Sequence, residues 1–499
     1  MAEVYHNYIG GKWVPSQNGD TFESCNPACT SEVIGVFQRS NKQDVISAID
    51  AAHAALPGWM STPAPIRASY VRRVGQLLER DKEALAQLET REMGKVVEEG
   101  RGDVQEGIDM ADYISGEGRR MFGETVPSEL RDKFAMMVRQ PLGVVGLITP
   151  WNFPVAIPTW KIFPALVTGN TIVFKPAEDT PAAATALVKL FEEAGLPAGV
   201  LNLVTGYGPE AGAPIVEDAR IRMISFTGSS AVGREIAAKA GRDLKKTMLE
   251  LGGKNPMIVM PDADLDLALE GALWGAFGTT GQRCTATSRI IVHRDIADEF
   301  TTRLIQQAKS LKVGYGLEPG VQVGPLINAQ QLQTVDEYVQ IGKQEGASLL
   351  LGGKRLTGGS YDNGYFYAPT IFGDVNYRMR IAQEEIFGPV VAVMPVSSYD
   401  EAIQVANSTE YGLSSSIYTR DVNLAFRAMR DMEAGISYVN APTIGAEIQL
   451  PFGGVKATGN GHREAGTSAI KEFTEPKAIY VDYSGRLQRA QIDVEHHAS

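Results

Sequence analysis

The sequence predicts an α/β fold in which helices cover parallel sheets. The first observation is that short apolar runs alternate with helix-compatible stretches between residues 143 and 241, a pattern typical of βαβ units. The second is that the same alternation begins again at residue 255. The third is the length of 499 residues, which exceeds what one hydrophobic core usually organises and indicates two or three domains.

The first alternating series supplies the strands of one predicted sheet. They are GVVGLITP (143–150), TIVFKP (171–176), VLNLVTG (200–206) and RMISFTG (222–228). Helix-compatible stretches separate or follow them at 182–195, 209–219 and 230–241. Strands joined in this way are parallel, so we expect ligands at their carboxyl ends. Ahead of this sheet, residues 42–122 are predicted to be mainly helical and amphipathic.

The second series begins with the strand NPMIVMP (255–261), continues with a helix over 262–277 and reaches the strand SRIIVH (288–293). The glycine- and threonine-rich stretch GTTGQRCTAT (278–287) is therefore predicted to lie between a helix and a strand. Further on, GGKRLTGGSYDNG (352–364) is typical of a polar surface loop.

Composition narrows the class of protein. The 59 acidic residues outnumber the 47 basic ones and give a net charge of −12, which argues against a nucleic acid or an anionic membrane as the main partner. We expect neither a signal peptide nor a membrane helix, because the N-terminus has no basic stretch before an apolar run and prolines interrupt the apolar segment 142–160. Three cysteines make no disulfide framework, so we expect a reducing, cytoplasmic location. The six histidines lack zinc-like spacing, and we expect no metal.

Glycine-rich turns after the predicted strands are candidate phosphate sites. GYGPEAG (206–212) nearly matches the dinucleotide fingerprint, but its last gap is one residue too long, and a tight turn that opens a helix is the alternative. FTGSSAVGRE (226–235) is not a Walker motif, because Arg-Glu follows its last glycine, but it can set Ser229 and a helix N-terminus against a pyrophosphate. VFKPAED (173–179) carries Lys175 and Glu178, where a carboxylate can accept bonds from ribose hydroxyls; a solvated ion pair is the alternative.

Cys284 is the candidate nucleophile. It lies among glycines and threonines instead of the bulky apolar residues that usually surround a core cysteine. A thiol reacts as its thiolate, and the ordinary pKa of about 8.5 leaves little thiolate at neutral pH. No histidine flanks the site, so a Cys/His hydrolase requires a remote histidine. Glu250, between leucines in LELGGKNP (249–256), is the better candidate base, because burial raises the pKa of a carboxyl group.

Asn152 supplies a candidate oxyanion donor. It lies in ITPWNFP (148–154), directly after a predicted buried strand, with Trp151 and Phe153 on either side. Its amide can donate to an oxyanion jointly with the backbone N–H of Cys284; an aromatic-packed turn is the alternative. The thiol, the carboxyl group in apolar surroundings, the amide and the candidate pyrophosphate turns together favour chemistry at Cys284 over an incidental loop thiol.

The motifs ITPWNFP, VFKPAE, FTGSSAVG, LELGGKNP, GQRC, EEIFGPV and PFGGVKATGNG, in this order, resemble the aldehyde dehydrogenase superfamily over nearly the whole chain. The resemblance implies the fold of that family, with a parallel-sheet, Rossmann-like cofactor domain, an α/β catalytic domain and a β oligomerisation arm. The implied boundaries are 1–122 with 142–252, then 253–456, then 123–141 with 457–499. The arm would add to a partner's sheet in a homodimer or homotetramer, and we expect the tail 482–499 to cross the subunit interface.

The resemblance also implies a mechanism. Cys284 attacks the aldehyde, Asn152 and the Cys284 amide hold the oxyanion, and Glu250 activates the water that releases the acid through a thioester. Lys161 is implied as a further catalytic residue. The presence of Glu250 favours hydrolysis to a free acid, because CoA-dependent relatives such as methylmalonate-semialdehyde dehydrogenase generally lack that base.

The cofactor implied by the resemblance is NAD. Lys175 and Glu178 would hold the adenosine ribose and Ser229 the pyrophosphate, while Glu385 would hold the nicotinamide ribose with Phe387 against the ring. Glu178 favours NAD, because a carboxylate repels the 2′-phosphate of NADP, which stays open as a second cofactor. The other implied cofactor-binding residues are Ile148, Pro150, Trp151, Gly208, Phe226, Gly228, Val232 and Leu251.

The substrate expected from the resemblance is an ω-semialdehyde with a distal carboxylate. Phe153, Trp160 and Phe452 would line its tunnel. The stretch 438–454, with Gly445 and Ala446, and the helix 104–113, with Glu106, resemble α-aminoadipic semialdehyde dehydrogenase, and Arg283 can receive a carboxylate. The stretch 149–161 instead resembles 2,5-dioxopentanoate and succinate-semialdehyde enzymes.

Other functions stay open at this point. If Glu106 is a solvated charge and Arg283 a structural donor, the enzyme is a broad-specificity aldehyde dehydrogenase for aliphatic or aromatic aldehydes. A thiol esterase or hydrolase is a remote alternative. A non-catalytic relative is expected to have lost Cys284 or Glu250, and both are present.

Overall fold

A computed structural model describes residues 2–493; Met1 and residues 494–499, the end of the predicted tail, lie outside the described residues. In this part of the chain no helix combines the length and the apolar character needed to span a membrane. The strands, in chain order, are β1 (Asn7–Ile9), β2 (Lys12–Val14), β3 (Thr21–Asn26), β4 (Cys29–Gln38), β5 (Glu124–Pro127), β6 (Lys133–Pro141), β7 (Val144–Ile148), β8 (Thr171–Lys175), β9 (Leu201–Leu203), β10 (Ile221–Thr227), β11 (Lys246–Glu250), β12 (Asn255–Val259), β13 (Thr287–His293), β14 (Ser348–Leu351), β15 (Thr370–Gly373), β16 (Val390–Val396), β17 (Tyr411–Gly412), β18 (Ser414–Tyr418), β19 (Ile436–Val439), β20 (Val455–Lys456) and β21 (Thr474–Asp482).

Helices connect most of these strands. In chain order they are α1 (Lys42–Ser61), α2 (Ala64–Met93), α3 (Val97–Glu117), α4 (Ala156–Thr168), α5 (Pro181–Glu193), α6 (Ala213–Glu217), α7 (Ser230–Arg242), α8 (Leu265–Phe277), α9 (Arg294–Lys309), α10 (Ala329–Gln344), α11 (Arg380–Gln383), α12 (Tyr399–Asn407), α13 (Val422–Asp431) and α14 (Gly466–Glu472).

The first sheet, seven-stranded within the described residues, has the order β11-β10-β7-β8-β9-β1-β2. From β11 to β9 the strands are parallel, and β1 pairs antiparallel with β9 and β2. Strands β7 and β8 are buried along their whole length, because helices cover both faces of a parallel sheet. Residues of α1, α6 and α7 pack on one face, and residues of α2, α3, α4 and α5 pack on the other.

The second sheet, again seven-stranded within residues 2–493, has the order β14-β15-β16-β13-β12-β18-β19. Its strands are parallel apart from β14, which pairs antiparallel with β15. Helices α8 and α9 pack on one face, and helices α10, α12 and α13 pack on the other. The prediction of an α/β fold with parallel sheets is therefore confirmed.

A third sheet lies outside these two layers. Over the described residues it has three antiparallel strands in the order β21-β6-β5, and β21 pairs with β6 from Thr474↔Pro141 to Asp482↔Lys133. The segment that precedes β21 in the chain packs against the first sheet, because Ile470 of α14 and Phe473 belong to the core formed with α2 to α5.

One predicted element differs in type. The expected helix over 209–219 is a π-helical turn, Gly208–Gly212, followed by the short α6. Most of the other predicted elements differ from the observed ones in length.

Candidate active site

The candidate site lies in a cleft between the first and second sheets. From the first sheet come the carboxyl ends of β7, β8, β10 and β11, which is where parallel sheets bind ligands. From the second sheet come the loop before β13, which carries Cys284, and the loop between α11 and β16, which carries Glu385 and Phe387. In the part of the chain that the structure describes, three cavities that all include Thr227 in their walls lie in this cleft and are named below the groove, the inner cavity and the tunnel.

The loop that carries Cys284 begins in a strained conformation. Thr279, Thr280 and Gly281 have φ values of 51°, 59° and 67°, and the left-handed region is costly for a β-branched residue such as threonine. Glu99 of α3 holds this turn, because its Oε1 accepts the Thr279 backbone N–H at 2.6 Å. Strain of this kind persists where surrounding contacts enforce it, and it clusters at functional sites.

Two further side chains fix the cysteine itself. Asn255 Nδ2 donates to the Cys284 carbonyl oxygen at 2.7 Å, and Gln282 Oε1 accepts the Ile327 backbone N–H at 3.0 Å. The thiol lines both the tunnel and the inner cavity. Burial, followed by the carboxyl groups of Glu385 and Glu250, raises the pKa of Cys284 to about 12. The thiol is therefore protonated at neutral pH in this state and requires a base before it can attack.

Glu250 is the available base. Its side chain is 3% exposed and lines the tunnel with Cys284, yet neither carboxyl oxygen has a hydrogen-bond partner among residues 2–493. Burial, reinforced by Glu464, raises the pKa of Glu250 well above its ordinary value, although Lys161 opposes the shift. Because its pKa is raised, this group is a stronger base than an ordinary carboxylate when it is ionised.

Asn152 lies on the other side of the cysteine loop. It is 3% exposed and lines the inner cavity, and its Nδ2 donates to the Gln282 carbonyl oxygen at 3.1 Å. That contact sets the amide beside the residues that immediately precede Cys284. One N–H of the amide remains for a ligand, because Nδ2 has two donors.

Lys161 lies behind the tunnel instead of in its wall. Its Nζ donates to Ser225 Oγ at 2.9 Å and forms a buried ion pair with Glu464. Glu464, which the sequence analysis did not single out, does line the tunnel with Glu250. Lys161 therefore reaches the reacting groups through Glu464, a contact between segments about 300 positions apart that no sequence pattern indicated.

The groove runs along the carboxyl ends of the first sheet and encloses about 720 Å³. Lys175 Nζ donates to Glu178 Oε2 at 2.8 Å on one side, and Ser229 caps the N-terminus of α7 on the other. The hydroxyls of Thr149 and Thr227 are buried here without a hydrogen-bond partner among the described residues. The predicted cofactor residues that line the groove are Ile148, Pro150, Trp151, Lys175, Glu178, Gly208, Phe226, Gly228, Ser229 and Val232.

The inner cavity, about 280 Å³, continues the groove to Cys284 and brings in the other predicted cofactor residues, Leu251, Glu385 and Phe387. Glu385 Oε1 accepts the Gly253 backbone N–H at 2.9 Å, and burial raises the pKa of Glu385 to about 7. Gly252 permits this approach, because a Cβ on it would lie 2.4 Å from Glu385 Oε2. The ring of Phe387 meets that of Trp151 edge-on, with centroids 5.4 Å apart.

The tunnel, about 100 Å³, reaches Cys284 from the opposite side. Trp160 and Phe452 form an edge-on aromatic pair in its wall, with centroids 4.9 Å apart. All predicted substrate residues line it: Glu106, Phe153, Trp160, Arg283, Gly445, Ala446 and Phe452.

Two ionisable groups set the polarity of the tunnel. Arg283 pairs with Glu99 at 3.3 Å, donates through Nε to Thr279 Oγ1 at 2.7 Å and lies over the ring of Phe153. Its Nη1 has no hydrogen-bond acceptor among the described residues and stays free for a ligand. Burial, with a contribution from Asp103, raises the pKa of Glu106 to about 8, although Arg283 lowers it.

Comparisons with known proteins agree with this geometry. A family model described as "Aldehyde dehydrogenase family" matches residues 13–479. The chain is 44% identical to the alpha-ketoglutaric semialdehyde dehydrogenase of Bacillus subtilis, over 96% of this chain and 98% of that protein. It is 41% identical to the 2,5-dioxopentanoate dehydrogenase of Saccharolobus solfataricus, over 95% of this chain and 98% of that protein. The crystal structure of Staphylococcus aureus betaine aldehyde dehydrogenase in complex with NAD⁺ matches with a TM-score of 0.95 and 36% identity, covering 97% of this chain and 95% of that chain.

Proposed function

The chain belongs to the aldehyde dehydrogenase family, and on that premise we propose that it oxidises an ω-semialdehyde with a distal carboxylate to the free acid, using NAD⁺ and water. 2,5-Dioxopentanoate is the first candidate, since relatives named for it or for α-ketoglutarate semialdehyde are 41–44% identical over nearly the whole chain; α-aminoadipic and succinate semialdehydes follow. The observation that carries the proposal is the tunnel, where Arg283 lies near Cys284 and its Nη1, unlike its Nε and Nη2, has no hydrogen bond to any of residues 2–493.

The first chemical step requires the thiol and the amide. Glu250 is the base in the tunnel that can take the thiol proton of Cys284. The sulfur then bonds to the aldehyde carbon, and the carbonyl oxygen becomes an oxyanion that accepts hydrogen bonds from Asn152 Nδ2 and the Cys284 backbone N–H. Donors fixed before the reaction, as Asn152 is by Gln282, stabilise such an oxyanion without reorganisation.

The second half of the reaction releases the acid. Bound NAD⁺ would accept the hydride that leaves the former aldehyde carbon, and the adduct held by Cys284 and Asn152 would thereby become a thioester. Glu250 releases the thiol proton to solvent and then takes a proton from a water molecule as the water oxygen attacks the thioester carbon. The carbon–sulfur bond breaks, the acid leaves and the Cys284 thiolate takes that proton from Glu250, which restores the thiol. Water as the acyl acceptor is supported by the unpartnered, buried carboxyl group of Glu250.

The residues of the cleft fit a dinucleotide. Lys175 and Glu178 would hold the adenosine ribose, and Ser229 with the N-terminus of α7 would hold the pyrophosphate. Glu385 would hold the nicotinamide ribose in the inner cavity. The orphaned hydroxyls of Thr149 and Thr227 indicate that the groove is built for a polar ligand. Glu178 favours NAD⁺ over NADP⁺.

The test compares two five-carbon aldehydes, one with a distal α-keto carboxylate and one without it. We expect kcat/KM for 2,5-dioxopentanoate to exceed that for pentanal by about tenfold or more, as expected for a charge-assisted hydrogen bond. Arg283→Ala removes that preference, while Arg303→Ala, a half-buried arginine of α9 that pairs with Asp266 outside the three cavities, leaves it unchanged. Equal activity on both aldehydes in the wild type would favour the broad-specificity alternative.

We further propose that the protein is a homodimer or a homotetramer and that it is located in the cytoplasm. The oligomer is supported by the third sheet, which stands outside the two main layers and exposes the apolar side chains of Phe134, Tyr480 and Val481, since unpaired strand edges add readily to another sheet. We propose that the tail beyond Asp482 crosses the same interface. An unchanged molar mass by light scattering and unchanged kinetics after deletion of residues 484–499 would contradict the role of the tail.

A further inference from the structure

A hydrogen-bonded bridge crosses the cleft between the two ends of the cofactor site. Asp179 follows β8 and lines the groove, while Asn328 is the N-cap of α10 on the second sheet. Asn328 Nδ2 donates to Asp179 Oδ1 at 2.9 Å. The bridge therefore joins the segment next to Glu178 to a helix that belongs to the other side of the cleft.

The bridge continues through the first turn of α10. Asn328 Oδ1 accepts the Gln331 backbone N–H at 2.9 Å, and Gln331 Nε2 donates to the carbonyl oxygens of Ile386 and Phe387, each at 2.9 Å. Both amide ends of Asn328 are thus in use, one as a helix cap and one across the cleft. Serine can replace the cap but not the cross-cleft donor, and aspartate has no donor at all.

The far end of the bridge holds a segment that is strained. Phe387 has φ 56°, a conformation that non-glycine residues adopt only where their surroundings enforce it. Gln331 fixes the carbonyl groups of Ile386 and of Phe387 itself, the two residues that directly follow Glu385. The bonds from Gln331 are therefore suited to keep Glu385 and Phe387 in place before any ligand binds.

We propose that Asp179, Asn328 and Gln331 are positioning residues. They fix the position of the Glu385–Phe387 segment relative to the adenosine end of the site. This inference rests on the proposed function, in which that segment receives the nicotinamide half of NAD⁺. Asn328 lines none of the three cavities, so it acts on the cofactor only through the bridge.

The decisive variant is Asn328→Ser, which keeps a cap for α10 and removes the cross-cleft bond. Gln330→Ala, one residue before Gln331 and exposed on α10, is the matched control. We expect hydrogen exchange in the cofactor-free protein to become about five- to tenfold faster over residues 384–389 in Asn328→Ser, the size expected for the loss of about one hydrogen bond. Asp179→Asn, which keeps an acceptor, should preserve slow exchange.

The same variant separates positioning from general damage to the cofactor site. We expect the KM for NAD⁺ to rise about five- to tenfold in Asn328→Ser, while the Kd for ADP, which lacks the nicotinamide and its ribose, stays within about twofold. Unchanged exchange over 384–389, or an equal loss of ADP affinity, would overturn the inference. Wild-type protein that forms no NADH would contradict the proposed function instead, and the exchange measurement, made without cofactor, would still decide whether the bridge holds the segment.

Discussion

The carboxyl group of Glu250 occupies the space that a side chain on Gly453 would fill: a Cβ on Gly453 would lie 2.6 Å from Glu250 Oε1. Gly453 also has φ 145°, which side-chain-bearing residues rarely adopt. The segment after β19 thus leaves room for the base at the end of β11, and the position of Glu250 depends on a residue about 200 positions away.

Gly453→Ala is expected to lower kcat by about tenfold or more, because it displaces a general base whose full contribution is about 10²–10⁴-fold. Steady-state oxidation of the aldehyde measures this. Gly102→Ala, on α3 with nothing within 4 Å of the added methyl group, is the matched control and should keep wild-type kcat. Wild-type turnover in Gly453→Ala would show that Glu250 tolerates displacement.

Asn152→Ala is expected to lower kcat/KM by about 10²–10³-fold, the usual cost of losing one fixed oxyanion donor. Asn152→Asp has nearly the same shape without the donor and should lose as much. The melting temperature of each variant serves as the control for folding. Retention of activity in Asn152→Asp would contradict an oxyanion role.

The raised pKa of Cys284, about 12, predicts slow alkylation by iodoacetamide in the cofactor-free protein at neutral pH. The rate should rise as the pH approaches the pKa, because the thiolate is the reacting form. Glu250→Gln removes a carboxylate that raises this pKa, so its rate profile should move to lower pH. A wild-type profile centred near the ordinary thiol pKa of about 8.5 would contradict the burial argument.

Lys161→Met is expected to lower the free energy of unfolding by about 3–5 kcal/mol, because it leaves the buried carboxyl group of Glu464 without its ion-pair partner. Lys161→Met combined with Glu464→Gln should recover a large part of that loss, because no buried charge then remains unpaired. Denaturant unfolding measures both. If the double variant is less stable than Lys161→Met, the pair interaction does not explain the loss.

Much of the fold follows from local pattern. The buried strands β7, β8, β10, β12 and β13 appear in the sequence as apolar runs, because a parallel strand covered on both faces contains little polar character. Asn152 and Glu250 could also be proposed, since Asn152 follows β7 closely and Glu250 ends β11. Glu99, Asn328 and Gln331 could not, because each acts through a contact with a segment distant in the chain.

The measurement that tests the central claim most directly is rapid-mixing NADH formation by Glu250→Gln with NAD⁺ and 2,5-dioxopentanoate, without CoA. The account predicts that the first NADH per Cys284 forms more slowly than in the wild type and that later turnover is slower still, because the variant lacks the base both for the thiol of Cys284 and for the attacking water. Cys284→Ala should form no NADH. Continued wild-type turnover in Glu250→Gln, or NADH formation that persists in Cys284→Ala, would contradict the assigned roles of these two residues.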